Sequence, residues 1–514
     1  MSYIVEQKIK GNIYLYEVES YWDKAKKQAR QRRKYLAPKN PKRKQNNPII
    51  TKGIIHKNYG NVFLLKKIAE KIGISKILEE CFPNDFREIL SLSFYKIIQR
   101  EALYLFPHWL EEHYQPKVKK LDSSGISKLL EKIGNQQNKM DTFKEKWISE
   151  LKPVNALYYD ITSLSSYSGK IDFIENGYNR DKENLAQLNL GMVFCNQNAL
   201  PINYSVFPGS IVDVTTLNNN VKFLKNYGLK DFCFVLDRGF FSTANILDLE
   251  ANNLKFIQPL SFSLKRLKTL IKENKRTLKK IENHFLFNNE ILSHTKTQIQ
   301  FKDKCFDAHI FFDEKAELSQ RQHFVRILIE IEEKVLRDKK SHSLKEALEF
   351  KEENIKKEYS AYYKWNKTTK AIERNPRTIN AKLSRFGYFV IATNDYKIEK
   401  EEILFNYRNK DQVEKVFDSL KNEINEQRLR VHSQYNADAK LFFNFITLIL
   451  YSEIINVMRK EKLFKSHTVK EMLFAMKNIK RTTTKEEDII SEISKKQRKI
   501  FNAFKIDLEE IPRY

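Results

Sequence analysis

The sequence predicts an α/β domain broken by an insertion, with a hairpin, a basic arm and a helical region ahead of it. Three observations carry this. From Val154 to about 260, the hydrophobic patterns follow the order β-β-β-α-β-α-β. From 261 to 384 the chain turns lysine-rich and irregular, after which the strand "YFVIATND" (388 to 395) runs straight into a long helix. Two of the strand runs, "NALYYD" and "FCFVLD", each end in a lone acid. The organisation expected is a hairpin and basic DNA-binding arm over 1–55 and a helical DNA-binding or assembly region over 56–150. The first part of the α/β core covers 151–260, the insertion 261–384, and the second part of the core, with a glutamate-bearing helix, 385–455. A helical region closes the chain over 456–514.

Bulk composition narrows the function. The 514 residues are 41% hydrophobic and 12% aromatic with only 13 glycines and 12 prolines, which is globular rather than disordered. Ninety-two basic residues against 65 acidic ones leave a net charge of +27. Such an excess draws polyphosphate or an anionic membrane, and its clustering favours nucleic acid. Cys81, Cys195, Cys233 and Cys305 form no CxxC pair, so disulfide and zinc readings get little support and a reducing compartment fits. "MSYIVEQKIK" lacks the apolar core of a secretory signal. "LFFNFITLILY" (441 to 451) is too short to span a bilayer and reads as a buried helix. The expectation is a soluble, intracellular protein without a membrane partner; the abundance of Lys, Asn and Ile points to an AT-rich bacterial genome.

Taken in order, residues 3 to 19 alternate apolar and polar about a Lys-Gly-Asn turn, which predicts the hairpin. Asp23 to Lys44 holds eleven Lys or Arg and one acid, Arg32, Arg33 and Lys34 among them, and reads as an arm for DNA phosphates. Helical periods dominate 60 to 150. Within them "HWLEEH" superficially suggests a zinc helix, but His108 and His113 are five apart and point to different faces.

The long helix after 395 carries two stripes. Val413, Val416, Phe417, Leu420 and Ile424 make the core stripe. Beside it Tyr407, Lys410, Glu414 and Lys421 fall within roughly 60° of one another. Asp160 and Asp237 end their strands where α/β proteins assemble sites, although either alone could simply cap a turn. Together with Glu414 they offer three hard oxygen donors suited to Mg²⁺ or Mn²⁺. Two such ions about 4 Å apart cut phosphodiesters, with Arg238, Lys410 and Lys421 holding the DNA backbone and Tyr407 stacking on a base or binding a phosphate. Asp172, Glu175, Asp181 and Asp213 read as surface or turn acids.

These motifs resemble the DDE insertion-sequence transposases with an RNase H-like catalytic domain. One large group of them carries Y-x2-R-x3-E-x6-K; this chain reads Tyr407-x2-Lys410-x3-Glu414-x6-Lys421, with lysine where the family has arginine. Charge is kept and bidentate phosphate gripping is lost. "YYDITSLSSYSG", "VLDRGFFS", "GYNRDKENLAQLNLGMVF" and "ESYWDKAKKQARQRRKYL" are also similar to the family's segments. The resemblance implies an RNase H-like core, a mixed five-stranded sheet flanked by helices, with the aspartates on adjacent strands and the glutamate on a helix. It implies divalent metal at Asp160, Asp237 and Glu414, hydrolysis at the transposon end, and attack of the freed 3′ hydroxyl on target DNA. Tyr407 and Lys421 would contact end DNA near the cut. A homodimer on double-stranded DNA, bridging two ends, and a nucleoid-associated place in a bacterial cytoplasm follow by resemblance only. An RNase H-like nuclease without strand transfer, or an inactive DNA-binding descendant, would use much of the same sequence.

Overall fold

The computed structural model describes residues 2–510 except 10–11, 25, 39–53, 152–153, 180–182, 198, 212–215, 218–220, 222–223, 228, 230–231, 337–342, 425–427 and 485–486. The chain divides into two compact units, Met1–His56 with Arg481–Ser491, and Lys57–Lys480 with Glu492–Ile511.

In the first unit the expected hairpin is one strand short of what forms. Strands β1 (Ser2–Ile9), β2 (Asn12–Asp23) and β3 (Gln28–Pro38) make an antiparallel sheet in that order. The first half of the supposed arm is therefore a strand, and the remainder, 39–44, lies outside the described residues. Cross-strand pairing explains it: Glu17 faces Lys34 and Glu19 faces Arg32, while Tyr16 and Tyr35 meet edge to face at 5.7 Å. Opposite charges and aromatic pairs across a ladder stabilise it. Arg32, Arg33 and Lys34 all remain exposed.

A short strand, β4 (Ile55–Asn58), precedes helices that fill Gly60 to Glu150. In this region His108 is exposed, whereas His113 is buried with its ring stacked 4.4 Å from Trp109, so the two do face apart. Helix Gln434–Lys460 is long and apolar enough to cross a membrane, yet most of its length is buried inside the fold. Phe442 packs against Phe82 at 5.6 Å and Phe143 at 5.2 Å. Helix Ser123–Gly134 meets its first turn so closely that a Cβ on Gly134 would lie 1.9 Å from the Tyr435 carbonyl oxygen.

The strands of the α/β core are β5 (Ala156–Ser165), β6 (Gln187–Cys195), β7 (Pro201–Pro208), β8 (Cys233–Val235) and β9 (Lys255–Pro259). They lie in the order β7-β6-β5-β8-β9, antiparallel across the first three and parallel from β5 through β9. This is the mixed five-stranded, RNase H-like core. It grows to nine strands through β10 (His284–Phe287), β11 (Glu290–Phe301), β12 (Lys304–Phe312) and, beyond a β13–β14 hairpin (Tyr363–Asn366, Ala371–Arg374), β15 (Tyr388–Thr393). The segment 261–384 thus splits. Its first part extends the central sheet, because Ala308, His309, Ile310 and Phe311 of β12 are all buried. Its second part, with the β13–β14 hairpin, gathers a separate core around Phe324, Leu328, Tyr363 and Phe386.

The C-terminal region is not wholly helical either. Between helices Val469–Lys477 and Lys495–Ala503, the strands β16 (Lys480–Thr483) and β17 (Asp488–Ile490) pair, with Arg481 bonded to Asp488. All four cysteines are free; Cys81 and Cys195 are buried.

Candidate active site

Asp160 is the fifth residue of β5, and Asp237 lies just past β8. Tyr158 and Val235 are partners across the parallel β5–β8 pair. Two residues further along each strand come Asp160 and Asp237, so they share one face at one level of adjacent strands, which run about 4.8 Å apart. An Asp160 oxygen accepts from the Ile161 amide at 2.9 Å. Asp237 caps the short turn Arg238–Phe240, accepting from the Arg238 amide at 2.6 Å, and buried Gln258 donates to its carbonyl at 2.8 Å. The capping role weighed for Asp237 is thus present, and it leaves the second carboxylate oxygen available.

Helix Lys400–Asp418 lies over this face. The buried Tyr158 hydroxyl donates to the Asn406 carbonyl at 2.7 Å, and Phe194 meets Phe417 edge-on at 5.5 Å. Val416, Phe417, Leu420 and Ile424 are buried as the apolar stripe requires; Val413 lies outside the described side chains. One turn separates Lys410 from Glu414. The Lys410 ammonium stands 3.0 Å from Asp237 and 2.9 Å from Glu414. Lys410 is buried, while the Asp237 and Glu414 side chains are 43% and 59% exposed. Burial by itself depresses the Lys410 pKa, but Asp237, Glu414 and Asp160 outweigh it and hold the pKa above the ordinary lysine value. Three acids from distant segments therefore act on one cation, which stays charged at neutral pH.

Whether these residues fit a divalent ion is decided by the donor set. Among the described residues no three His, Cys, Asp or Glu side chains already form a cage around one point. Asp237 and Glu414 nevertheless supply hard oxygens to one ammonium, and the charge of Asp160 acts on it too, so that it stands where positive charge is wanted. They fit once Lys410 yields its place.

Other candidates are arranged differently from the simplest expectation. Tyr407 is half-buried with its ring stacked on Phe389 at 5.8 Å. Lys410 spends its charge on carboxylates rather than standing clear for phosphate. Arg238 is exposed beside Asp237. Lys421, half-buried in the π-turn Ser419–Glu423, lies close enough to Glu183 to lower that acid's pKa, behind hydrogen bonds from Arg428 and Ser165. Arg32, Arg33 and Lys34 belong to the other unit. Asp172 is exposed and Glu175 half-buried; Asp181 and Asp213 lie outside the described residues.

Sequence reasoning passed over Gln258, which fixes the Asp237 turn, and the Glu183–Arg428 ion pair at 2.9 Å. A lone glutamine inside a five-residue strand carries no periodic signal. Glu183 and Arg428 become neighbours only through the tertiary fold.

A family model described as the transposase DDE domain matches residues 157–450. That span includes Asp160, Asp237 and the whole helix bearing Lys410 and Glu414. No match exists among curated proteins. Among solved structures, the piggyBac transposase synaptic complex with hairpin DNA aligns at 12% identity over 81% of this chain and 70% of that one, with a TM-score of 0.34.

Proposed function

We infer the reaction class from membership: the chain belongs to the transposase DDE-domain family. We propose that it cuts phosphodiester bonds at the ends of a mobile DNA segment and joins the freed 3′ hydroxyl to target DNA. The observation that carries this reading is the Lys410 ammonium bound to both Asp237 and Glu414, with Asp160 close enough for its charge to act on the same lysine. Members of the family generally use divalent metal ions. Here Asp160, Asp237 and Glu414 would hold Mg²⁺ or Mn²⁺, two ions in our reading, and the metal would activate the attacking oxygen and stabilise the leaving one.

The chain's own groups have separate tasks. Lys410 neutralises the carboxylates and keeps them together until metal arrives; a lysine held charged cannot serve as a general base. Tyr158 fixes the height of the glutamate helix, and Gln258 fixes the Asp237 turn. Arg238 and Lys421 supply positive charge for the DNA backbone at the rim. Tyr407, stacked on Phe389 and carried by the same helix as Glu414, would supply a further DNA contact. Arg32, Arg33 and Lys34 form a basic strand for further phosphate contacts, and a homodimer would bridge two DNA ends.

The test uses the full chain with supercoiled plasmid and with linear DNA bearing its cognate ends, in Mg²⁺, Mn²⁺ or EDTA. Cleavage followed by joined products, abolished by EDTA and by Asp237→Asn, supports a transposase. Metal-dependent cleavage that never yields joined products indicates a nuclease. Tight binding without any cleavage indicates a DNA-binding descendant.

A further inference from the structure

Helix Lys400–Asp418 rests on two supports. The α/β core supplies one, through the Tyr158 hydroxyl on the Asn406 carbonyl and through Asp237 on Lys410. The strands added beyond β9 supply the other. Lys400 lies over the Phe285 ring of β10 at 5.3 Å, and Arg408 lies over the Phe287 ring of the same strand at 5.3 Å. Between them Tyr407 stacks on Phe389 of β15, which stacks in turn on Phe311 of β12 at 5.1 Å.

Arg408 does more than cover a ring. One guanidinium nitrogen donates to Glu290, the first residue of β11, at 2.9 Å; another donates to Asp313, just past β12, at 3.4 Å. A planar fork reaches two acids at once, which the point charge of a lysine does not. All three side chains are partly solvated, so the pairs add little to stability by themselves. Their effect is geometric, because two fixed acids set both the rotation and the height of the helix. Glu414 lies six residues further on, about 9 Å along the axis and about 120° around it. Arg408, turned onto Glu290 and Asp313, therefore acts on Glu414 only through the helix.

The two supports fare differently when metal binds. An ion shared by Asp237 and Glu414 takes the place of the Lys410 ammonium, so the tie from Lys410 to Asp237 is given up. The pairs made by Arg408 are left standing. We propose that Arg408 is a positioning residue of the metal site. With Glu290 and Asp313 it clamps the helix at the height where Glu414 faces Asp237 after Lys410 has yielded. The clamp rests on the metal reading above, and the experiment separates the two.

Mn²⁺ is titrated into the full chain without DNA, and the free ion is counted by electron paramagnetic resonance. Leaving DNA out keeps any phosphate contact of Arg408 from entering the readout. The site that counts is the one lost in Asp237→Asn. Arg408→Met should bind Mn²⁺ there about tenfold more weakly, as when a group supporting a metal ligand is removed. Arg408→Lys, which keeps the charge and loses the fork, should fall between. Glu290→Gln should weaken binding as well, and combining it with Arg408→Met should cost less than the two losses together. The control is Arg374→Met, since Arg374 grips Glu332 by a similar two-point pair, 2.8 Å at one contact, in the separate core of the insertion. Its Mn²⁺ affinity should equal that of the unsubstituted chain, whatever happens to its melting temperature. Should Arg408→Met not fold, Arg408→Lys and Glu290→Gln carry the same test. If the Arg408 and Glu290 variants bind Mn²⁺ as the unsubstituted chain does, or Arg374→Met loses as much as they do, the clamp alone is wrong. If the unsubstituted chain binds no Mn²⁺ that Asp237→Asn removes, the metal reading fails and the clamp with it.

Discussion

The Lys410 ammonium lies 3.0 Å from a carboxylate oxygen of Asp237, tying the glutamate helix to the end of a central strand. The same ammonium holds Glu414 at 2.9 Å. Replacing Lys410 with Met keeps the stem's packing and leaves two carboxylates without their shared counter-ion. Both are well solvated, so the cost is modest, about 1 kcal/mol. In EDTA the Lys410→Met protein should melt a few degrees lower, and Mn²⁺ should raise its melting temperature by more than it raises that of the unsubstituted chain. Equal Mn²⁺ responses would mean that Lys410 and the ion do not share a place.

Tyr158 sets the position of the helix from below. Tyr158→Phe removes the 2.7 Å bond to the Asn406 carbonyl and strands a buried acceptor. A loss of about 1–2 kcal/mol is expected in urea unfolding. DNA cleavage should fall further than the stability loss accounts for, since Glu414 sits two turns along the same helix. Unfolding that changes while cleavage does not would separate Tyr158 from the site.

Gly134→Ala should be among the most damaging small substitutions. The new Cβ would meet the Tyr435 backbone carbonyl at 1.9 Å, and backbone on both sides cannot move cheaply. Overpacking of this kind costs about 1–3 kcal/mol or more. Circular dichroism melts would show it directly; an unchanged melt would mean that the two helices do not touch there.

Stability should decline on mild acidification. His113 is held down to about 4, chiefly by burial, with Lys477, Lys480 and Lys57 adding to it and the Trp109 carbonyl opposing it. His309 is likewise held to about 4 by burial, with Lys296 adding to it. Above pH 6.5 both histidines are neutral, folded or unfolded. Between 6.5 and 4 the unfolded chain takes up protons that the folded chain refuses, so stability falls as pH falls, by at most ~1.4 kcal/mol per pH unit for each histidine. Melting temperatures from pH 7.5 to 5 should drop, and His113→Gln should flatten the drop. An identical slope in the variant would place the proton uptake elsewhere.

The core order, the glutamate helix and the buried character of 441–451 were legible because each is a local period in apolar residues. The third N-terminal strand was hidden by its charge. Arg32 and Lys34 look like a solvated run until Glu19 and Glu17 are set opposite them. The joining of β10–β12 to the sheet was invisible for the same kind of reason, since pairing between strands as far apart in the chain as Phe312 and Tyr388 leaves no mark in either segment alone. At the site, the residue types and helical spacing pointed to three acids and a lysine. That Lys410 would be buried and turned onto two of the acids depends on the depth at which the helix packs, which Tyr158 and Phe194 decide.

The central claim is that Asp160, Asp237 and Glu414 form one metal site. A crystal structure of the full chain soaked in Mn²⁺, with anomalous data, tests it most directly. The account predicts an anomalous peak about 2.1 Å from oxygens of all three side chains, with the Lys410 ammonium displaced from between Asp237 and Glu414. Lys410 still bridging those two carboxylates, and manganese bound elsewhere or not at all, would contradict it.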